Sequence, residues 1–308
     1  MKTTSFCAPC KAERFYEVTC LSTRDERLRK ECMVAVLANI RKAIKRGDCP
    51  SFAGTVQSEL IMDITGNRDP YRKKKRDVIR AAKRIFPSFR EWVSDGKTPY
   101  ERFKRAVKLA VAGNTLELSA PNHKAHVERM EDEMKQLVKK ALTADDIKEI
   151  FKNVKNSKEV LYLCDNCGEA VFDIPLISEI NKHSSVTAVV SSVPMDEDVS
   201  LEEIELVGLG DIPVVGKGRS YGVWKKRAPE GFWRRFETAD FIIAKGMANY
   251  ETLDEYRDVV GGRAACLLRV KCPTVGASLG FGMDSMIAVM IHCQGFVRGQ
   301  MILKHELH

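Results

Sequence analysis

A short apolar run that stops at a cluster of polar residues is the most restrictive feature of this sequence. Residues 160–164 are apolar, and Asp165-Asn166-Cys167-Gly168-Glu169 follows directly. Five residues are too few for a helix but suit a strand that is buried on both faces of a parallel sheet. Open parallel sheets bind ligands beyond the carboxyl ends of their strands. The stretch therefore indicates either a functional site at a strand end or an ordinary turn, since Asp, Asn and Gly are also typical turn residues.

The two halves of the chain differ in pattern. Up to about residue 150, apolar residues recur at three- and four-residue spacing, which predicts helices over 12–20, 24–45, 52–65, 69–86, 100–112 and 123–142. Another helix is predicted from a capped start at 143–146 to about 154. After residue 156, β-branched runs alternate with helical or loop stretches, predicting strands over 160–164, 186–191, 204–209, 241–244, 264–270 and 285–292. The fold class is therefore α/β, with a helical N-terminal domain over 1–150 and an α/β domain over 151–308.

Composition narrows the classes of protein. The chain has 308 residues, 44% hydrophobic and 30% charged, as in soluble globular proteins. No apolar run approaches the length of a membrane span and the first residues lack a signal-peptide core, so we expect a cytoplasmic protein without a membrane partner. The ten cysteines are then expected to be reduced thiols.

The net charge of +8 raises the question of a polyanionic partner. Much of the excess lies around the basic run 72–76, which sits within an amphipathic helical pattern and is expected to be a solvated helix face. Interleaved aromatic residues of an RNA-binding motif do not accompany it, so nucleic acid is the weaker alternative.

Strand-end residues suggest a metal and a phosphate. Asp165 and Asn166 supply hard oxygen ligands for a cation of the magnesium or manganese kind, and Asp198, beyond the second strand, is a third candidate. The alternative for Asp198 is an acidic helix start. Lys245 follows a strand, next to a glycine, and is placed to meet a phosphate oxygen together with Asn249. Lys271 after the next strand is either a second phosphate ligand or a solvated lysine.

Familiar nucleotide motifs fit poorly. Pro213 replaces the third glycine of a dinucleotide fingerprint, and Gly218 replaces the Ser or Thr of a phosphate loop after Lys217. An adenosylmethionine-dependent carboxyl methyltransferase would need a glycine-rich turn where only Gly168 follows the first strand. A haloacid-dehalogenase-like phosphatase would need an aspartate where this chain has Cys167. The methyltransferase and a basic nucleic-acid-binding protein remain the alternatives to a phosphatase.

Several of these motifs together resemble the metal-dependent damage-control phosphatase family, the ARMT-like group. The similarity rests on 165–169, on Lys245-Gly246-Met247-Ala248-Asn249-Tyr250-Glu251 and on Lys271-Cys272-Pro273. In the helical half, Cys7-Ala8-Pro9-Cys10, Asp69-Pro70-Tyr71 and Ala112-Gly113-Asn114 resemble its stand-alone microbial branch.

The resemblance implies a helical region packed on a Rossmann-like α/β/α domain, with a divalent metal (Mg, Mn, Co or Ni) in a cleft. It further implies hydrolysis of phosphate monoesters of sugar phosphates or of damaged or surplus phosphometabolites. Asp165, Asn166 and Asp198 would hold the metal and Lys245 would bind phosphate. The cleft would also be lined by Asn114, Glu169, Asn249 and Lys271.

Three questions stay open in the sequence. Glu197 stands where the family usually has Asn, so the third ligand could instead be Asp196. Cys7 and Cys10 could approach Cys167 as a structural metal site or a redox-sensitive lid, and a zinc site that also uses Cys164 is a further alternative. The attacking group is either water or the Asp165 carboxylate. Asp165 and the phosphate-binding Lys245 are the predicted catalytic residues. The oligomeric state is not predicted.

Overall fold

The first half of the chain folds into helices, and some of their ends carry capping residues. The computed structural model describes residues 1–114 and 127–292. Asp25 accepts a hydrogen bond from the backbone N–H of Arg27 at the start of the second helix, and Gly47 ends it with a φ of +66°. The helices are α1 (Cys7–Ser22), α2 (Glu26–Arg46), α3 (Pro50–Thr65), α4 (Arg72–Ser94), α5 (Pro99–Gly113) and α6 (Val127–Lys139).

These helices confirm the predicted ones, with different ends. Helix α1 begins earlier than predicted, and α4 continues through Pro87 to Ser94. The predicted start of the sixth helix, at 123–126, lies outside the described residues.

The second half forms one sheet with helices between its strands. The order of hydrogen-bonded strands is β1-β7-β6-β5-β2-β3-β4, and every neighbouring pair is parallel except β6 with β7. The predicted α/β class with a mainly parallel sheet is confirmed. The elements are β1 (Ala144–Asp145), α7 (Ile147–Asn156), β2 (Glu159–Leu163), α8 (Cys167–Asn181), β3 (Ser185–Val190), α9 (Ile204–Val207), β4 (Val214–Gly216), α10 (Glu230–Thr238), β5 (Phe241–Lys245), α11 (Gly246–Glu255), α12 (Arg257–Val260), β6 (Ala264–Arg269), α13 (Pro273–Leu279) and β7 (Met286–Ile291).

The sheet is buried on both faces, which explains its continuous apolar strands. Val160 and Tyr162 of β2 face a core shared with α4 to α9, whereas Leu161 and Leu163 face a core shared with α10 to α13. Helices α1 to α3 have a smaller core of their own, closed by Tyr71. The first core contains residues from both sides of position 150, and the predicted division there remains a prediction.

One local prediction is wrong. Residues 204–209, predicted as a strand, form helix α9, because Ser200 and Glu203 make a capping box that starts a helical turn at Leu201–Glu203. The strand that pairs beside β3 is instead β4, an edge strand of three residues that comes later in the chain. The helix predicted after a capped start at 143–146 is confirmed as α7, with Asp146 at its N-cap, and Ala144–Asp145 also form the short strand β1.

The basic run at the start of α4 is not a solvated face throughout, which corrects the expectation for Lys75. Its side chain is fully buried, and its ammonium lies 2.8 Å from Glu203 and 3.3 Å from Asp69. In the described residues, Asp69, Glu202 and Glu203 are the one group of three metal-binding side chains that lie close together, and Lys75 contacts two of them. Within the same residues, no helix has both the length and the apolar character needed to cross a membrane.

Candidate active site

The turn that follows β2 places two of the predicted metal ligands at the edge of the sheet. The strand ends at Leu163, and Asp165 and Asn166 fill the short connection before α8 begins at Cys167. Gly168 allows the first turn of α8 to approach α4, since an added Cβ would lie 2.8 Å from a methyl group of Val78. The predicted functional strand end is therefore a tight strand-to-helix turn beneath the helical region.

The loop 191–200, called the acidic loop below, brings the third predicted ligand to the same point. The backbone N–H of Val199 donates to the carbonyl of Asp165 at 2.9 Å, and Asn166 and Asp198 form an isolated backbone bridge. Because these contacts tie the end of β3 to the end of β2, Asp198 lies beside Asn166.

The carboxylate of Asp196 makes other contacts, and these bear on whether Asp196 or Asp198 is the third predicted ligand. Its backbone has a φ of +43°, and its carboxylate accepts hydrogen bonds from Ser58 at 3.0 Å and from the hydroxyl of Tyr221. The carboxylate of Asp198 instead faces the ammonium of Lys217 at 3.3 Å. Burial raises the pKa of Asp198 to about 6, although the charge of Lys217 opposes the rise. The geometry favours Asp198 over Asp196 as a cleft-facing ligand.

Glu169 fixes the orientation of two side-chain amides. Its carboxylate accepts from Nδ2 of Asn166 at 2.9 Å and from Nδ2 of Asn114 at 2.8 Å. Asn114 also donates to Oδ2 of Asp165 at 3.3 Å, and its own oxygen accepts from the backbone of Arg269 at 3.0 Å. Since the nitrogen of Asn166 is held by Glu169, its oxygen is the end left to face the cleft.

Lys245 lies behind the layer formed by Asp165, Asn166 and Glu169. Its ammonium is fully buried and donates to Asp173 at 2.7 Å and to Glu169 at 3.3 Å. Burial alone would lower the pKa of Lys245, but the two carboxylates outweigh that effect and raise it. Asn249 joins the ends of β2 and β5 by donating to the carbonyls of Cys164 and Lys245 at 3.0 and 2.8 Å. Direct phosphate contact by Lys245 remains a prediction, because both carboxylates would have to release it.

The environment of Asp165 suits a cation. Burial raises the pKa of its carboxyl well above the usual range, and the charges of Glu169 and Asp198 raise it further. Gly246, with a φ of +74°, makes room for this carboxylate, because an added Cβ would lie 1.7 Å from Oδ2. A carboxylate, an amide oxygen and a second carboxylate are hard donors, so the residues present fit a divalent metal.

A cleft of about 340 Å³ opens over these residues. Of the predicted site residues, it is lined by Asn114, Asp165, Asn166, Asp198 and Lys271. Glu169, Lys245 and Asn249 support that layer from behind and are almost completely buried. The sheet thus supplies one wall, and Asn114 reaches it from the end of α5.

The opposite wall contains residues that the sequence did not single out. Helix α1 contributes Lys11 and Arg14, α3 contributes Ser51, and the remaining polar positions are Tyr221 and Glu251. A basic residue on an amphipathic helix is usually solvated, so the pattern of α1 gave no signal for this position.

The cysteines group differently from the prediction. Cys10 and Cys272 line the same cleft, and Cys7 lies 3.9 Å from the hydroxyl of Thr274, because the start of α1 packs on the start of α13. Cys167 instead faces a carbonyl oxygen of the acidic loop at 3.6 Å. Among the residues that the structure covers, no cysteine belongs to a close group of three metal-binding side chains.

Comparison with known proteins places this fold and site in one family. Residues 3–287 match the model of the damage-control phosphatase ARMT1-like domain. A damage-control phosphatase of Pyrococcus horikoshii is 31% identical, the alignment covering 94% of this chain and 98% of the relative. One from Archaeoglobus fulgidus is also 31% identical, covering 94% and 100%.

A solved structure supports the same family assignment. The crystal structure of a DUF89 family protein from Pyrococcus horikoshii superposes with a TM-score of 0.84 at 30% identity, over 94% of this chain and 99% of that one. The agreement extends through both the helical half and the sheet, so it covers the cleft between them. By sequence and by fold, this chain belongs to the damage-control phosphatase ARMT1-like family.

Proposed function

We propose that this protein is a metal-dependent phosphatase that hydrolyses small phosphate monoesters. Sugar phosphates and damaged or surplus phosphorylated metabolites are the proposed substrate classes. The observation that carries the proposal is the convergence of Asp165, Asn166 and Asp198 on a cleft that also contains Lys271. The damage-control phosphatase names of the relatives support the reaction class.

The proposed metal ligands are Asp165, Asn166 and Asp198. Mg, Mn, Co and Ni all accept such a donor set. A bound divalent cation would withdraw charge from a phosphoryl oxygen and lower the pKa of an attacking water. Glu169 keeps the amide oxygen of Asn166 directed at the cation, because it holds the nitrogen at 2.9 Å.

The remaining side chains orient the phosphoryl group and offset its charge. Lys271 lines the cleft and its charge acts on Asp165, so it is placed to attract a phosphoryl oxygen. Water is the proposed nucleophile, since Asp165 is already fixed by Asn114 at 3.3 Å. A cavity of about 340 Å³ suits a metabolite rather than a macromolecule.

Phosphate release from an aryl phosphate and a panel of sugar phosphates tests this proposal. The metal-stripped protein is assayed alone and with each divalent metal, beside Asp165→Asn and the exposed control Asp63→Asn. We expect metal-dependent turnover in the wild type and the control, and its loss in Asp165→Asn. Equal turnover with and without metal would contradict the proposal, and saturable adenosylmethionine binding without turnover would favour a methyltransferase.

A further inference from the structure

Arg14 is a cation that lines the cleft and has one guanidinium nitrogen, Nη1, with no hydrogen-bond partner in the described residues. The carboxylates nearest to its guanidinium are Glu197 at 3.6 Å, Asp196 at 3.8 Å and Glu17 at 3.9 Å, all beyond hydrogen-bond distance. Its Nη1 is buried and has no hydrogen-bond partner in the described part of the chain. Arg14 as a residue lines the cleft, so its poorly paired guanidinium points to an acceptor supplied by a ligand bound there.

An aromatic ring helps to hold the Arg14 side chain in place. The guanidinium lies over the ring of Tyr71, 5.2 Å from its centroid, and Tyr71 is fully buried. Stacking of this kind fixes the plane of a guanidinium and leaves its N–H edge available. Burial alone would lower the pKa of Arg14, but the charges of Glu197 and Asp196 in the acidic loop outweigh that effect and raise it.

Of the three cations that line the cleft, Lys11, Arg14 and Lys271, the last two act on the proposed metal ligands. Lys271 acts on Asp165, whereas Arg14 acts on Asp198. A phosphoryl group between the two carboxylates would therefore meet one cation from the sheet and one from α1. Lys245 differs from both, because its ammonium is fully buried and already paired with two carboxylates.

We infer that Arg14 is a catalytic residue that binds the nonbridging oxygens of the substrate phosphoryl group. The inference rests on the proposed phosphatase function and adds a contact from the helical region to a site built on the sheet. A guanidinium presents several N–H donors in a planar fork, which matches two phosphoryl oxygens better than an ammonium does. The same contact would attract inorganic phosphate, the product.

The test compares Arg14→Gln and Arg14→Lys with the exposed control Arg90→Gln, all loaded with metal. Turnover of an aryl phosphate, affinity for inorganic phosphate by calorimetry and affinity for the metal are measured for each. Loss of one donor to a developing phosphoryl charge typically costs about 100- to 1,000-fold in rate, and that is the loss in kcat/KM expected for Arg14→Gln. Phosphate binding should weaken in parallel, metal affinity should be unchanged, and Arg14→Lys should recover part of both losses.

A structural role would give a different pattern. If Arg14 only holds the acidic loop in place, Arg14→Gln would change metal affinity together with turnover and leave phosphate affinity at the same metal occupancy unchanged, and the inference would be wrong. Unchanged phosphate affinity and turnover in Arg14→Gln would also overturn it. Failure of the proposed function itself is distinguishable, because the wild type would then bind metal but neither release nor bind phosphate.

Discussion

Replacing Gly246 with alanine tests the geometry around Asp165 with a single methyl group. The added Cβ would lie 1.7 Å from Oδ2 of Asp165, and real Cβ contacts essentially never fall under 3.0 Å. The carboxylate must therefore retreat by about 1.3 Å, or the backbone must move. A misplacement of about 1 Å at a reacting centre can cost on the order of 100-fold in rate.

Backbone strain accompanies this change and has to be separated from it. Gly246 has a φ of +74°, and an alanine in the left-handed region costs about 1–2 kcal/mol of stability. Gly262 is the matched control, because it has the same φ of +74° and nothing within 4 Å of an added Cβ. Both alanine variants should therefore have a similar backbone cost, while Gly246→Ala alone adds the clash with Asp165 and should affect the site.

Metal titration and phosphate release measure the difference between the two variants. We expect Gly246→Ala to bind metal about 10- to 100-fold more weakly, as when a group that orients a metal ligand is disturbed. Turnover should fall by about 100-fold. Gly262→Ala should keep wild-type values for both. Equal metal affinity in the two variants would refute the view that Gly246 holds Asp165 in its productive position.

Three further outcomes follow from buried or bonded charges. Lys75→Ala breaks a buried group of ion pairs and should lower the free energy of unfolding in urea by about 3–5 kcal/mol. Lys73→Ala removes a side chain that is 90% exposed and should lower it far less. Equal losses would contradict the burial of Lys75. Two backbone N–H groups lower the pKa of Asp240, so its ionised carboxylate stabilises the fold above the usual carboxyl pKa. Asp240→Asn should therefore be less stable than the wild type at neutral pH, and this difference should shrink below about pH 4. A difference that stays constant with pH would contradict this. Glu169→Gln should release the amide of Asn166 and weaken metal binding by about 10- to 100-fold, and an unchanged metal titration would contradict its orienting role.

The sequence predicted the sheet side of the site well because the signals there are local. A buried parallel strand ends where its apolar run ends, and the next residues must lie at the edge of the sheet. Asp165 and Asn166 follow directly from this rule. Asp198 required only that the second strand lie next to the first, which the register of β2 and β3 confirms.

The remaining features depend on contacts between distant parts of the chain. Lys75 is buried because Glu203 reaches it from the acidic end of another segment, and no local pattern encodes that partner. Lys217 follows an edge strand of three residues, too short to be recognised by alternation. Arg14 enters the cleft only because α1 packs against the acidic loop, so its helical pattern looked like that of a solvated residue.

The misassigned segment 204–209 shows two local signals in conflict. Its Ile and Val content favours a strand, but the capping box of Ser200 and Glu203 favours a helix. The helix is realised because Ile204 and Val207, three residues apart, both pack into the core beneath α8.

Titration of metal into the stripped protein tests the central claim most directly. Wild type, Asp165→Asn, Asp198→Asn and Asp196→Asn are compared by calorimetry, with phosphate release measured on the same samples. The account predicts that the wild type binds metal and gains turnover as the site fills. It also predicts that Asp165→Asn and Asp198→Asn lose both properties and that Asp196→Asn keeps metal binding. Metal binding that is undiminished in Asp165→Asn and Asp198→Asn would contradict the account.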